Sequence, residues 1–401
     1  MELTTGEEHE ELRRTVRSFV ERASPESEVR RLMDTERGYD PAVWRRLAGE
    51  LGLTGLGVPE EYGGAGGGFQ EIGIVLEEMG RALMCAPYFA TVVLAASTLL
   101  HSGDESARKE YLPGIAAGET VATLALAEEP ARWDPTGIAT SAKRAGPGWE
   151  LTGTKLFVLD GLAADLVLVA ARTGPGEEDI GLFAVNGDAL RRTAMETLDP
   201  TRKQARLDLE GTPGRLAGPE RGAWPILRRV LDLAAVGLAC EQVGGAERAL
   251  EMAVEYARTR IQFGRPIGSF QAVKHRCADM ALGIDAARTA MSHAVWAAAA
   301  REDELPVAAS MARVCCSEGH VFAAAENIQV HGGIGFTWEH PAHLYFRRAK
   351  TSAVMLGDPA FHRERLMRLL VDAPENRVNA SRSGAPDGPG GKDVTWISPE
   401  Y

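Results

Sequence analysis

Apolar residues recur at three-and-four spacing over Glu8–Glu21, Pro41–Leu51, Phe69–Met84 and Ala90–Leu100, with a shorter run at Glu105–Leu112, which predicts a helical N-terminal region. The glycine-dense patch Gly63–Gly68 interrupts it. From Val121 the pattern changes to short apolar runs (VATLALAE, WELTGTKLFVL, ADLVLVAART, DIGLFAVN, ARLDLEG) with Pro and Gly between them, the signature of a small β barrel or sandwich. Helical spacing returns at Trp224. Pro225 suits a first helical turn, and Ile226–Arg260 then runs without proline. Phe270–Arg301, Pro306–Val330 and Pro359–Val371 supply the further helices of a bundle. The expected fold is mainly α with a central small β domain: an N-terminal helical domain over 1–119, a β domain over 120–219 and a C-terminal four-helix bundle over 220–372. The stretch 373–401, rich in Pro, Gly and Ser, reads as a flexible tail in which only Val394–Ser398 is apolar.

A chain of 401 residues with 45% hydrophobic content can bury a substantial core. Its net charge of −12 argues against a nucleic-acid partner, so anionic ligands must be met by local arginines. The N-terminal MELTTGEEHEELRR lacks the apolar segment of a leader, and no run is long enough to span a bilayer, so a cytoplasmic location and no membrane partner are expected. Cys85, Cys240, Cys277, Cys315 and Cys316 show no metal-ligand spacing and an odd count, which reads as buried reduced thiols and no metal.

Two segments carry the chemistry. YARTRIQFGRPIGSFQ (Tyr256–Gln271) and QVHGGIG (Gln329–Gly335) each put glycines beside a cation or an amide at the end of a long helix, an arrangement suited to gripping one diphosphate ligand from two directions. Arg260 supplies a permanent forked donor, and a glycine pair lets backbone N–H groups approach a phosphate. Alone, either segment reads as a helix C-terminal cation or a turn.

Both segments resemble the C-terminal domain of the acyl-CoA dehydrogenase family of flavoproteins, in register from Gln329 through Asp358. Val58-Pro-Glu-Glu-Tyr-Gly-Gly64, Tyr111-Leu-Pro113 with Gly118, and Trp149-Glu-Leu-Thr-Gly-Thr-Lys155 are similar to three further landmarks of that family, in the same order. The resemblance implies FAD held between two subunits, hence a homo- or hetero-oligomer, dimer or tetramer. It assigns Arg260, Phe263, Gln271, Gln329, Gly332 and Gly333 to the adenine and diphosphate half of the cofactor site. It also implies α,β-desaturation of an acyl-CoA by α-proton abstraction and hydride transfer to flavin N5, with electrons passing to an electron-transfer flavoprotein or similar acceptor.

The other half of the flavin site departs from the family pattern. Where relatives read "(T/S)-E-P-x-x-G-S-D", the chain has Ala127–Asp134, with Trp133 at the serine; where they read "W-I-(T/S)-N", it has Phe157-Val-Leu-Asp160, and Leu159 cannot donate the hydroxyl hydrogen bond to the N5 region. Phe157 and Leu159 therefore stand at flavin-facing positions of a pocket rebuilt for an unusual acyl group, or of a half-site that has decayed in a silent subunit completing a relative's FAD site. A monooxygenase or scaffold on the same fold is a third reading that no residue favours.

The catalytic base is displaced as well. The family's usual glutamate aligns with Leu356, and its alternative on the long helix with Ala234, next to Ala235 where many relatives have arginine. Glu241 lies nearly two turns after Ala234 on the same face, within the small, apolar stretch Leu233–Gly245, and is the first candidate for base. Its competing reading is a carboxylate paired to an arginine such as Arg288 or held at a subunit contact. Asp358, beside Leu356, is the second, competing with a role as N-cap before Pro359. Asp232 and Glu247 fall on other helix faces, and His331 and His362 read as packing or ligand-contact residues. The alanines at 234 and 235 suggest a roomy acyl pocket for a branched or ring-bearing chain.

Overall fold

A computed structural model describes residues 6–129 and 131–371, so the tail beginning at 373 lies outside the described residues. The N-terminal region comprises α1 (Glu7–Ala23), α2 (Glu26–Met33), α3 (Pro41–Gly49), α4 (Phe69–Arg81), a π-helical stretch Phe89–Ala96 running into α5 (Ser97–His101), and α6 (Glu105–Ala116). Strands β1 (Ala122–Ala125), β2 (Ser141–Ala145), β3 (Gly148–Leu159), β4 (Leu166–Arg172), β5 (Ile180–Asn186), β6 (Arg191–Ala194) and β7 (Gln204–Leu216) follow. The pairings β4–β2, β2–β3, β3–β7, β7–β5 and β5–β4 close on themselves, with β1 parallel to β4 and β6 on β7. Alternating residues such as Leu151, Val167, Val169, Phe183 and Leu207 fill the interior of that closed circuit.

The long helix α7 (Trp224–Thr259) is followed by a short hairpin of β8 (Ile261–Gln262) and β9 (Arg265–Pro266), then α8 (Gln271–Ala300), α9 (Leu305–His331), α10 (Ala342–Val354) and α11 (Pro359–Val371). Helices α2 and α10 are absent from the periodicity reading. Helix α10 carries Arg347, Arg348 and Lys350, and owes its place to two buried contacts, Tyr345 donating to Arg81 O at 2.7 Å and Arg348 paired with Asp199 at 2.6 Å.

Helices α4 and α7 meet backbone to backbone. A Cβ at Gly80 would lie 2.2 Å from Glu241 O and one at Gly244 1.9 Å from Glu77 O, so only glycine permits this approach. The same closeness leaves little room at the alanines: Ala234 and Ala235 are buried in the main core, and a Cβ at Gly237, the next turn of α7, would lie 3.0 Å from Leu76 and 3.4 Å from Val93. The alanine side chains themselves therefore line no open space. Small residues on α7 serve close helix packing instead.

Across this contact runs a chain of buried charges. Glu77 takes Arg13 at 2.9 Å and Arg288 at 2.7 Å, while Glu78 takes Arg17 at 2.8 Å. These pairs tie α1 and α8 to α4.

Candidate functional site: an open clamp and a closed catalytic face

Helices α7 and α9 end where α8 begins, and this end of the bundle gathers the residues assigned to the cofactor. Arg260 follows the last turn of α7, its N–H donating to Tyr256 O at 2.8 Å, and its side chain is exposed. Phe263 is 91% exposed at the tip of the hairpin, with φ 54°, in edge contact with Phe270. Gln271 opens α8, whose first-turn N–H groups receive no side-chain cap, and Gln329 is exposed in the last turn of α9. Gly332 has φ 65° and ψ −142°, a backbone open to glycine, and a Cβ at Gly332 or Gly333 would meet nothing within 4 Å. Arg260, Phe263, Gln271, Gln329, Gly332 and Gly333 thus share one solvent-facing end. The two halves are joined there by Tyr256 of α7 stacking on His331 of α9 at 4.3 Å.

Large apolar side chains lie exposed on the same segments: Ile261, Phe263, Ile334, Phe336 and Trp338.

The catalytic face differs. Leu356 occupies the turn between α10 and α11 with φ 57°, followed by Gly357 at φ 95°. That left-handed geometry is unfavourable for leucine and persists because the surroundings impose it. Arg313, fully buried on α9, donates to the carbonyls of Ser352 (2.9 Å), Met355 (2.8 Å) and Gly357 (3.3 Å), and to Gln242 Oε1 at 2.7 Å. Burial brings this guanidinium down to about 10. The carbonyl of Leu356 meets His362 Nε2 at 3.0 Å, so that nitrogen carries the proton and Nδ1 is a bare acceptor. Three successive carbonyls of the turn are thereby held.

Neither candidate base is free. Glu241 is buried and paired with Arg202 from the loop before β7, not with Arg288, which binds Glu77 and Glu247. The cavity beside this pair is about 20 Å³, room for a water and no acyl chain. It is walled by Phe89, Leu159, Asp160, Thr201 and Arg348. Burial, opposed by Arg202 and Arg348 and reinforced by Glu241, pushes the Asp160 carboxyl up to about 7. Asp358 accepts from Phe361 N at 2.8 Å and caps α11, the structural role weighed for it from the sequence.

Of the positions at the flavin-ring half, Phe157 is half-exposed with φ 55° at an irregularity of β3. Leu159 is buried in the main core, its side chain on the Arg202–Glu241 cavity. Glu128 of the β1–β2 loop takes Lys155 at 2.6 Å and the backbone N–H of Thr140, which fixes the root of the segment bearing Trp133.

Sequence reasoning missed one group. Asp232, buried on α7 and read as lying on another face, lines a groove of about 460 Å³ with Trp133, Trp224, Leu356, His362 and Arg365. Burial raises its carboxyl, and Arg365 stands 2.5 Å away. The available signal was an acid two residues before Ala234, but its facing depends on where α11 docks.

The fold and these landmarks agree with known proteins. Residues 6–119 match the family model described as the acyl-CoA dehydrogenase N-terminal domain, and 221–371 match its C-terminal domain. The chain is 39% identical over 374 residues to acyl-CoA dehydrogenase IpdE2 of Mycobacterium tuberculosis, covering 93% of this chain and all of the relative. This protein belongs to the acyl-CoA dehydrogenase family. Members of that family are FAD-dependent oxidoreductases acting on CH–CH bonds. A chain of the ChsE4–ChsE5 complex from Mycobacterium tuberculosis superposes with TM-score 0.84 at 31% identity, covering 93% of this chain and all of that one. Butyryl-CoA dehydrogenase from Megasphaera elsdenii superposes with TM-score 0.85 at 26% identity, covering 92% of this chain and all of its own. Among the described residues no helix is long and apolar enough to cross a membrane, and no cluster of His, Cys, Asp and Glu forms a metal site.

Proposed function

We propose that this chain is one subunit of a heteromeric FAD-dependent acyl-CoA dehydrogenase, and that it supplies the adenine and diphosphate clamp for a flavin whose catalytic glutamate sits on a related partner subunit. The carrying observation is the contrast at Leu356: the turn is fully braced yet its side chain cannot accept a proton, while Glu241 is committed to Arg202, Asp358 to a helix cap, and Asp232, which shares the groove with Leu356, to Arg365. Desaturation requires a carboxylate able to take the α proton as hydride leaves for flavin N5. A partner subunit provides it in this reading. The assembled enzyme then passes its electrons to an electron-transfer flavoprotein or similar acceptor.

FAD fits the residues present. Arg260 and the N–H groups of Gly332, Gly333 and the α8 N-terminus would meet the diphosphate, and the open space over the glycines admits it closely. When bound, the flavin accepts the hydride. This chain binds and orients the nucleotide end and, through Ile261, Phe263, Phe336 and Trp338, covers the partner. The solved ChsE4–ChsE5 complex, a pair of different chains, supports a heteromeric assembly for a relative of this fold.

The test is flavin absorbance of the protein purified alone and after co-expression with an acyl-CoA dehydrogenase paralogue that retains the glutamate. Flavin and acyl-CoA-dependent dye reduction are expected only in the co-expressed complex. Stoichiometric FAD with turnover from the chain alone would overturn the reading in favour of a self-sufficient dehydrogenase.

A further inference from the structure

The clamp's two halves meet through rings. Tyr256, on the last turn of α7, stacks on His331 at 4.3 Å, and His331 lies 4.2 Å from His340, just before α10. Each ring touches a clamp element. The Tyr256 carbonyl accepts the Arg260 N–H, and His331 immediately precedes Gly332. The glycine turn folds back onto His331, since a Cβ at Gly335 would lie 2.8 Å from His331 Cβ.

Hydrogen bonds fix the proton on each imidazole. His331 Nδ1 faces the carbonyl of Asn327 at 2.8 Å, which only accepts, so Nδ1 carries the hydrogen. His340 Nδ1 accepts the backbone N–H of Ala342 at 3.2 Å, so there the hydrogen is on Nε2. The His340 ring is therefore neutral as bonded, whereas the His331 bond is compatible with either charge state.

We propose that the Tyr256–His331–His340 ring cluster is the positioning element of the cofactor clamp, holding Arg260 and the Gly332–Gly333 turn in one geometry only while His340 is uncharged. The inference rests on the clamp assigned above and adds the means by which it is held and released. Protonating His340 would remove its bond from Ala342 N–H and set a cation against the His331 ring. The groups facing it from other elements do not cancel this. Glu26 of α2 favours the charge, while Arg30 of the same helix and His331 oppose it. His343 on α10, edge-on to Trp338 at 4.5 Å and opposed by Arg30 and Arg347, adds no counter-anion. On His331, Tyr256 contributes a neutral ring.

Burial holds both His331 and His340 below the ordinary histidine value, and for His340 the neighbouring His331 adds to it. A base with a depressed folded value is stabilising above its unfolded value of about 6.5, and that contribution is lost as pH falls below it. The clamp should then loosen on mild acidification, before the deeper core titrates.

Amide hydrogen exchange on the full-length chain reads the stack without a partner or flavin. His340→Ala should speed exchange across residues 329–336 about tenfold at pH 7.5, the loss of roughly one ring contact, while His340→Tyr, which keeps an uncharged ring and loses only the acceptor for the Ala342 N–H, should speed it by no more than about threefold. Between pH 7.5 and 5.5, after correction for intrinsic rates, protection of the same amides should fall in the native chain, by at most about tenfold for one imidazole with an unfolded value of about 6.5, and should fall clearly less in His340→Tyr. Unchanged protection in His340→Ala, or the same acid loss in His340→Tyr as in the native chain, overturns the proposal. FAD titration of the co-expressed complex separates this from the functional reading. Intact exchange results with no FAD bound at pH 7.5 would sink the shared-flavin assignment and leave the stack standing, whereas FAD bound equally in His340→Ala and native complexes at pH 7.5 and 5.5 would overturn the stack's role.

Discussion

The two ends of the C-terminal region were built for opposite purposes. At the ends of α7 and α9 the functional groups are solvent-facing, the backbone is glycine-rich and the arginine keeps its donors free. At the α10–α11 turn and along the middle of α7, Glu241, Asp232 and Asp358 are each paired or capped, the space beside Glu241 is about 20 Å³, and the groove of about 460 Å³ at Leu356 presents its acid already paired with Arg365. An exposed end that retains its chemistry beside an interior that has spent its own on ion pairs is what a cofactor-completing subunit requires. An enzyme acting alone would need the reverse at Glu241, a carboxylate without a fixed cation.

The closed face is broken most severely by separating its ion pair. Glu241→Gln strands the buried Arg202 guanidinium and should cost about 3 kcal/mol or more, read as a lower denaturation midpoint. Removing both partners, Glu241→Gln with Arg202→Met, should recover most of that loss, because the cost lies in the unpaired charge. Flavin content of the assembled complex should be unchanged by the pair. Loss of turnover in Glu241→Gln with unaltered stability would instead make Glu241 the base and collapse the contrast.

On the open face the same measurements should separate. Arg260→Ala removes an exposed side chain and should leave stability within about 0.5 kcal/mol. It should weaken FAD binding by the complex by about 2 kcal/mol, roughly thirtyfold, since a charge-assisted contact to phosphate is lost. An equal effect on folding and on flavin would mean that Arg260 serves the helix end alone.

Acid sharpens the comparison from the interior side. His320 is fully buried, with neither ring nitrogen bonded, and burial drives it down to about 3. Its neutral form contributes stability that is complete above about pH 6.5 and is lost as pH falls toward 3, at about 1.4 kcal/mol per pH unit. His320→Gln should flatten the pH dependence of the unfolding free energy between 6 and 4 by about that slope, even if the variant is less stable at pH 7. An unaltered slope would place the acid lability elsewhere.

How legible each face was in the sequence follows from the range of its contacts. The proposed clamp relies on residues that would act through their own backbone or through exposed side chains, so two short segments were enough to propose Arg260, Gln329, Gly332 and Gly333, and the structure places them at one end of the bundle. The closed face is made by partners distant in sequence. Arg202 reaches Glu241 across 39 residues, and Arg313 holds carbonyls 39 to 44 residues away. Nothing in the spacing around Glu241 announces Arg202. Periodicity likewise located most helices but missed α2 and α10; α10 is as long as α4 and α11, and it is held by the docking contacts of Tyr345 and Arg348. The alanines at 234 and 235 suggested space; the glycines at 80 and 244, which draw α4 against α7, were the stronger signal and were legible only once the two helices were seen together.

The finest discrimination concerns neighbouring glycines. Gly332 and Gly333 both look into open space, yet only Gly332 has a positive φ, 65° with ψ −142°. Alanine at 332 should therefore cost about 1 kcal/mol or more in folding through backbone strain, whatever ligand is present. Alanine at 333 meets no neighbour and no such strain, so its effect on stability should stay within about 0.5 kcal/mol. Its methyl group would nevertheless stand in the space a phosphate needs to reach the backbone N–H, and FAD affinity of the complex should drop about tenfold, or roughly 1.4 kcal/mol. Isothermal titration with FAD beside a denaturation curve for each variant resolves the two. If Gly333→Ala binds flavin as the native chain does, the glycine pair is a turn and nothing more, and the open face loses its claim to the diphosphate.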